Sequence, residues 1–486
     1  MSNKDTLLAI DLGAESGRGV SGRFDGKKLA LEEVHRFANQ PITIGETLHW
    51  NMLGIFANIE TAIEKAKAAG AVKSVGVDTW GVDFGLMDSA GHLIGNPVHY
   101  RDRRTEGIFQ KAYKIVPKEE IFSNTGNMFY EFNTLFQLLA LRLADDPSLK
   151  MAERLLNTPD LLHYWLCGEM ANELTIASTT QCMSADRKAW ATELLRKFDI
   201  PQGIFGEIVP PATRLGALRT DKNISVVLPA SHDTGSAVMA VPAHGDDFLW
   251  ISSGTWSIVG VVNEAPIAGP QALAHNFTNE SIDPGRNRFS RNVMGLWIIQ
   301  ECRREWARQG KEYTYPELVG MAKQSAPFRS LIIPDDIRFL RPGQMPDIIK
   351  NFCASTGQPV PQTEGEIARC IFESLALAYK EVLDSIETVT KRTIKRVHII
   401  GGGSQNALLC QFTADATRLP VLAGPVEATA IGNLLAQAKA HGWVKSNEEM
   451  TQVVLNSFPT EEYSPAQSDA WEESYGRYKS LCPQSD

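Results

Sequence analysis

Metal-binding cysteine patterns are missing from this sequence. The seven cysteines, Cys167, Cys182, Cys302, Cys353, Cys370, Cys410 and Cys482, include no CxxC pair, so neither a zinc site nor a disulfide framework is expected. Cys353 and Cys370 are close enough in sequence to meet if a loop folds back on the following helix, and two buried thiols are the expected outcome in a reducing compartment. No run approaches the ~18 to 20 consecutive apolar residues of a membrane helix. The start, Met1 to Thr6, is polar and has no apolar signal core, so a cytoplasmic chain with no membrane partner is expected. Nor does any block of six or more basic residues interrupt a chain of formal net charge -9. That excludes the electrostatic footprint expected for nucleic acid or an anionic membrane.

What is present is enough apolar sequence for two cores: 486 residues, 43% of them hydrophobic, exceed what one ordinary core takes up. Leu7 to Asp11 reads as a strand ending on an acid and a glycine. Arg18 to Phe24 and Leu29 to Phe37 follow as extended runs separated by Asp25-Gly26, the signal of a hairpin. Leu53 to Ala69 has the apolar spacing of a helix, with Ile55, Ile59, Ala62, Ile63 and Ala66 on one face, and it feeds a strand at Val75 to Asp78. The second half repeats this grammar. Phe248 to Ser252 reads as a strand, Gly254-Thr255 as a turn and Trp256 to Val262 as an extended run. Further on come a long helix at Glu366 to Thr388, a strand at Arg396 to Ile400, a glycine loop and a helix at Gln405 to Arg418. The class is alternating α/β with two similarly built domains. The boundary is expected near Pro242 to Asp247, giving domains 1–243 and 244–486.

Five segments carry chemistry. In Asp11-Leu12-Gly13-Ala14-Glu15-Ser16-Gly17-Arg18 the glycines let main-chain N–H groups approach phosphate oxygens, Ser16 can donate and Arg18 can neutralise. Asp11 can hold a magnesium ion through water. The segment lacks the Gly-Lys-Ser ending of a Walker loop, and a hairpin rather than a helix follows it, so it is not a dinucleotide fingerprint either. Ser252-Ser253-Gly254-Thr255-Trp256-Ser257 again places small residues and hydroxyls after a strand. Gly401-Gly402-Gly403-Ser404-Gln405-Asn406 joins a strand to a helix, where a flat ring or a phosphate can lie against the main chain; a tight turn serving only packing has the same composition.

Ser231-His232-Asp233-Thr234-Gly235 is a polar cluster between apolar runs. A carboxylate there can take the proton of an attacking alcohol in phosphoryl transfer; the alternative is that Asp233 merely caps the next helix. Asp78-Thr79-Trp80-Gly81-Val82-Asp83-Phe84 mixes aromatics, glycine and acid in a way that suits a carbohydrate, although Trp80 and Phe84 also read as core. Asn292 and Gln300, flanking Met294-Gly295-Leu296-Trp297, read as amides at a helix entry, open to a binding role, a capping role or a place facing solvent.

In this order and spacing, the five segments resemble the FGGY family of carbohydrate kinases, within the sugar kinase, heat-shock 70 and actin superfamily. The likeness spans nearly the whole chain. Six strings carry it further, at Asp78 to Phe84, Tyr100 to Asp102, Ser231 to Thr234, Ser252 to Ser257, Asn292 to Trp297 and Gly401 to Asn406, and they look like the members that act on L-rhamnulose. The resemblance implies a ribonuclease H-like core in each domain, an interdomain active-site cleft, and transfer of the γ-phosphoryl group of Mg-ATP to the C1 hydroxyl of that ketose. Position by position, it implies Asp233 as base and Gly81, His232, Thr234 and Asn292 as ketose contacts. Ala14, Glu15, Ser16, Gly17, Arg18, Thr255, Gln300 and Gly402 fall on the nucleotide side, and Asp11 on the magnesium. Glu15 stands where relatives often carry a small hydroxyl residue. The alternatives are another substrate on the same machinery, such as L-fuculose or L-xylulose, and an actin-like protein that binds ATP to change shape. The acid at 233 and the segment 78 to 84 argue against the latter. Monomer and dimer both stay open.

Overall fold

The computed structural model describes residues 5–466 and 469–481; the polar start at 1–4 and Cys482 lie outside the described residues. The chain divides into two compact units. The first comprises Met1–His244, Val262–Phe289 and Ala428–Ser457, and the second Gly245–Val261, Ser290–Glu427 and Phe458–Asp486. The first break therefore falls at His244/Gly245, but a single cut does not describe the units, because two later segments return to the first.

In the first unit, β1 (Asp5–Leu12), β2 (Ser16–Phe24) and β3 (Leu29–Ala38) form an antiparallel meander. The expected hairpin turns at Gly26, whose φ of 100° only glycine adopts freely, while the Asp25 side chain accepts from the main-chain N–H groups of Lys27 and Lys28. Strand β4 (Ala71–Thr79) lies parallel to β1, and β6 (Ser225–Leu228) parallel to β4, with β5 (Thr213–Ala217) antiparallel at the edge. The order is β5-β6-β4-β1-β2-β3. As a central strand covered on both faces, β1 is apolar almost throughout, and Leu7 to Ile10 and Leu12 are fully buried. Helix Met52–Ala69 covers one face with the residues its spacing predicts, and Asn51 caps it by accepting from the Gly54 N–H.

Helix Ala428–Ala440 covers the sheet with polar side chains. Gln437 donates to the carbonyl of Leu8 at 2.9 Å, and Asn433 donates to the carbonyl of Gly76 at 3.1 Å and to the Asp78 carboxylate at 2.6 Å. Main-chain groups of two central strands are thus tied to a helix more than 350 residues away in sequence. This is the physical reason why Ala428–Ser457 belongs to the first unit. Gly432 of the same helix lies so close to helix Asp233–Met239 that a Cβ would come within 1.8 Å of the Ser236 carbonyl.

The second unit repeats the plan. Strand β7 (Phe248–Ser253) pairs antiparallel with β8 (Trp256–Asn263). Hairpin strands β9 (Thr278–Asp283) and β10 (Arg286–Met294) follow, and the first unit takes β9 and the start of β10. Strand β11 (Arg396–Ile400) lies parallel to β7, β12 (Val421–Ala423) parallel to β11, and β13 (Glu461–Tyr463) antiparallel to β12. The order within the unit is β10-β8-β7-β11-β12-β13. Each unit thus has a central strand, β1 or β7, with an antiparallel partner on one side, β2 or β8, and two parallel strands on the other, the ribonuclease H-like arrangement. Helix Glu364–Thr390, opened by a capping box of Thr363 and Glu366, supplies the longest buried face. Cys353 and Cys370 are buried free thiols. Among the described residues no helix is long and apolar enough to cross a membrane.

Candidate active site

Parallel strands ending at one edge of a sheet leave their loops together, the usual place for a ligand in an α/β protein. In the first unit Asp11 of β1 stands opposite Asp78 of β4. Thr79 in turn bridges to His232, its N–H donating to the Ser231 carbonyl at 2.9 Å. Asp11, Asp78 and Asp233 are gathered at this edge by register alone.

Asp233 is the first residue of helix Asp233–Met239, and the cap position belongs to His232. The acid therefore does not act as the capping residue that the alternative reading made it. Its Oδ1 accepts from the N–H of Thr234 at 2.5 Å and the Thr234 hydroxyl at 3.1 Å, which fixes the carboxylate while its side chain keeps 31% exposure. Burial and then the negative charge of Asp11 push its pKa up to about 7. Asp78 is fully buried, with Oδ1 unpartnered, and burial followed by the Asp11 carboxylate raises it well above the usual range. Arg18 donates to one oxygen of Asp11 from Nε at 3.0 Å and Nη2 at 2.8 Å. The cation expected to neutralise phosphate thus also offsets the acid beside it.

The main chain of the 231–234 segment is held from behind. The fully buried Glu173 accepts from the Ser231 N–H at 3.1 Å and the Thr175 hydroxyl at 2.6 Å, and Thr175 Oγ1 accepts from the His232 N–H at 3.1 Å. Gly81 faces the His232 ring: a Cβ there would lie 3.1 Å from both Cδ2 and Nε2. Val82 next to it adopts a φ of 69°, strained for a β-branched residue. Its carbonyl accepts from Thr134 Oγ1 at 2.6 Å, and its N–H donates to Thr179 Oγ1 at 3.2 Å.

In the rest of that segment the core reading of the two aromatics holds and the sugar-binding reading does not. Trp80 and Phe84 are core, with Trp80 stacked on Trp50 at 3.9 Å. Asp83 is buried, its Oδ2 accepting from the indoles of Trp50 and Trp80 and the N–H of Tyr100, its Oδ1 from Gln137. An acid with 1% exposure, whose two oxygens accept from the core, organises aromatics and is closed to a sugar hydroxyl.

Where the chain turns from β1 into β2, Glu15 and Ser16 are exposed and Ala14 is half-buried, whereas Gly17 within β2 is buried. A Cβ on Gly17 would come within 2.3 Å of the Phe37 ring, so this glycine is there for packing. Asn39 braces the loop, its side chain donating to the Gly13 carbonyl and its N–H to that of Glu15.

In the second unit β7 and β11 end together, with Ser252 opposite Ile400. Thr255 lies against the first turn of helix Trp297–Arg308: its hydroxyl donates to Gln300 Oε1 at 3.4 Å, and its carbonyl accepts from the Trp297 N–H. The triple glycine is not uniform. A Cβ on Gly403 would sit 2.0 Å from Ser253 Oγ, while Gly402 faces open space. Asn292 is a half-buried residue within β10 rather than at the start of a helix. The structure thus groups Asp11, Ala14 to Arg18, Gly81, His232, Asp233 and Thr234 in one unit and Thr255, Asn292, Gln300 and Gly402 in the other, so that Asn292 is in a different unit from the other expected ketose contacts. Sequence reasoning missed Asn39, Glu173, Thr175, Arg288 and Asn433, polar residues without a local motif, each with a partner more than 20 residues away in the chain.

Residues 6–238 match the N-terminal domain of the FGGY family of carbohydrate kinases, and residues 249–441 its C-terminal domain. The chain is 41% identical over 484 residues to the rhamnulokinase of Bacteroides thetaiotaomicron, covering 98% of this chain and 99% of that protein. The rhamnulokinase of Bacillus subtilis is 38% identical, with 95% and 96% covered. Among solved structures, the xylulose kinase of Lactobacillus acidophilus matches with a TM-score of 0.79 at 16% identity, covering 98% and 96% of the two chains. The glycerol kinase of Plasmodium falciparum, solved with ADP, matches at 0.77 and 14%, covering 98% and 97%. At such identity these structures support the two-domain sugar kinase fold alone, whereas the matches of both domains carry the assignment: the chain belongs to the FGGY family of carbohydrate kinases.

Proposed function

We propose that the protein transfers the γ-phosphoryl group of ATP to the C1 hydroxyl of L-rhamnulose, in the cytoplasm, with Asp233 as the base. One observation carries the mechanism: a carboxylate with one oxygen fixed by Thr234, still partly exposed, and a pKa raised to about 7. A base is most useful when its pKa lies near the working pH. The free oxygen takes the hydroxyl proton as the C1 oxygen bonds to phosphorus and the bond to ADP breaks. The substrate is inferred from relatives about 40% identical over nearly the full length that are named rhamnulokinases.

On the acceptor side Gly81, His232, Thr234 and Asn292 bind the ketose; Gly81 leaves the His232 Nε2 edge uncovered by any side chain of its own. The residues proposed for the nucleotide are Ala14 to Arg18 in the first unit, as a phosphate loop, and Thr255, Gln300 and Gly402 in the second. Among the described residues no three His, Cys, Asp or Glu side chains converge to hold a metal ion by themselves. Asp11, at the end of β1, is the residue proposed to meet, through water, a magnesium ion carried by the phosphate oxygens. Bound there, the ion would neutralise charge developing on the phosphoryl oxygens.

The test is ADP formation with and without L-rhamnulose, followed by NMR of the product. ADP release that depends on the ketose, with phosphorus coupled to the C1 protons, is expected. Equal ADP release without sugar would overturn the reading.

A further inference from the structure

The largest fully buried charged side chain, that of Arg288, has no role in the chemistry described so far. It lies on β10 with 0% exposure. Its Nη2 donates to Nδ1 of His232 at 2.8 Å and to the carboxylate of Glu280 across the hairpin. Its Nε and Nη1 have no hydrogen-bond partner. The hairpin is anchored in the first unit: the Ser281 N–H donates to Ser178 Oγ at 2.9 Å and the Asn279 side chain to the Gly126 carbonyl at 2.8 Å. A buried ion pair with two donor groups unmet is a poor source of stability, since apolar replacements of such pairs are often neutral or better. Its presence calls for another reason.

The reason follows from donor and acceptor chemistry. A guanidinium only donates, so the nitrogen it meets on His232 must be the lone-pair nitrogen. Nδ1 therefore accepts, and the ring proton of a neutral imidazole sits on Nε2. Asp233 Oδ1 lies 3.5 Å from the same Nδ1, too far for a hydrogen bond. Burial and then the charge of Arg288 hold the histidine well below its usual pKa, which keeps the ring neutral. Nε2 is the edge that lies against Gly81.

We infer that Arg288 is a positioning residue that locks His232 in the neutral Nε2–H tautomer, so that the ring presents one fixed hydrogen-bond donor to an oxygen of the ketose and cannot compete with Asp233 for the hydroxyl proton. The ketose contact rests on the proposed function; the tautomer does not. A site that offers a fixed donor rejects an acceptor molecule lacking an oxygen at that point, because the N–H is then left unpaired. Arg288 thereby contributes to specificity without touching the sugar.

The test has two parts. In the ligand-free protein labelled with 15N-histidine, the His232 ring should show a protonated Nε2 and an unprotonated Nδ1 at pH 7. A proton on Nδ1, or a doubly protonated ring, would overturn the inference with no substrate involved. Second, Arg288→Met and Arg288→Gln are each combined with Glu280→Gln, so that no buried carboxylate is stranded. The glutamine variant keeps a donor for Nδ1, and the methionine variant keeps none. The methionine variant should raise the ketose KM roughly 10-fold, change kcat and the nucleotide KM less, and populate the other tautomer; the glutamine variant should recover most of the KM and the tautomer. Identical behaviour of the two variants, with the wild-type tautomer retained in both, would overturn it. If the wild-type protein phosphorylates no ketose, the functional reading falls, and the ligand-free spectrum still decides the role of Arg288.

Discussion

Thr234 holds one carboxylate oxygen of Asp233: Oδ1 accepts from both its N–H and its hydroxyl, at 2.5 and 3.1 Å. The other oxygen is the proposed proton acceptor. Asp233→Asn keeps an oxygen for Thr234 and removes the base. kcat should fall about 10² to 10⁴-fold with nucleotide affinity nearly unchanged. A mutant keeping more than about half of the wild-type kcat would contradict the assignment.

The same group sets a pH dependence. The base works only when ionised, so ketose kcat/KM should rise with pH to a plateau, with a midpoint near 7. Asp11 raises that midpoint and Arg288 lowers it. For stability the sign is opposite. Folded Asp233 holds its proton to about pH 7, whereas the unfolded chain releases it near the ordinary value of 3.8. The folded state binds more protons across that window, and stability falls as pH rises through it. The Tm of Asp233→Asn relative to wild type should therefore increase between pH 5 and pH 8, a shift that differential scanning fluorimetry can follow. A constant difference would mean that Asp233 titrates normally.

Gly81→Ala tests the ring edge. Its Cβ would lie 3.1 Å from His232 Cδ2 and Nε2 and from Thr179 Cβ, close enough that the histidine must shift by a few tenths of an ångström. The ketose KM should rise several-fold while the nucleotide KM stays put. An unchanged ketose KM would remove Gly81 and the adjoining histidine edge from the sugar site.

The triple glycine separates packing from binding. Gly403→Ala places a Cβ 2.0 Å from Ser253 Oγ, and overpacking of this kind costs about 1 to 3 kcal/mol. Its Tm should drop. Gly402→Ala meets nothing within 4 Å, so its Tm should hold while the nucleotide KM rises. A Gly402→Ala protein with wild-type nucleotide KM would show that the nucleotide does not lie against this glycine.

Asn433→Ala leaves the buried Asp78 and the Gly76 carbonyl without their shared donor. Each group so stranded costs about 1 to 3 kcal/mol. The urea midpoint should fall without a change in slope, and a midpoint within error of wild type would show that helix Ala428–Ala440 is not held by this contact.

These residues also show how far the sequence could be read. Asp11, Asp233 and the three glycine-bearing loops stood out in the sequence because each lies at the end of an apolar strand or within a few residues beyond it. Arg288 was not, since its partner His232 lies 56 residues away and nothing near it forms a motif. Asn433 reaches Asp78 across 355 residues, and so the discontinuous unit was invisible as well. Asp83 misled for a different reason. An aromatic beside an acid has the composition of a sugar site, but here the acid accepts indole hydrogen bonds inside the core.

The central claim, a kinase selective for L-rhamnulose, is tested most directly by kcat/KM across a panel of acceptors at fixed Mg-ATP. L-Rhamnulose should give the highest value. L-Fuculose should be a poorer but detectable substrate, because a misplaced hydroxyl leaves buried polar groups of the site unpaired at about 1 to 3 kcal/mol each. Inert L-rhamnulose beside rapid turnover of glycerol or D-xylulose would contradict the account.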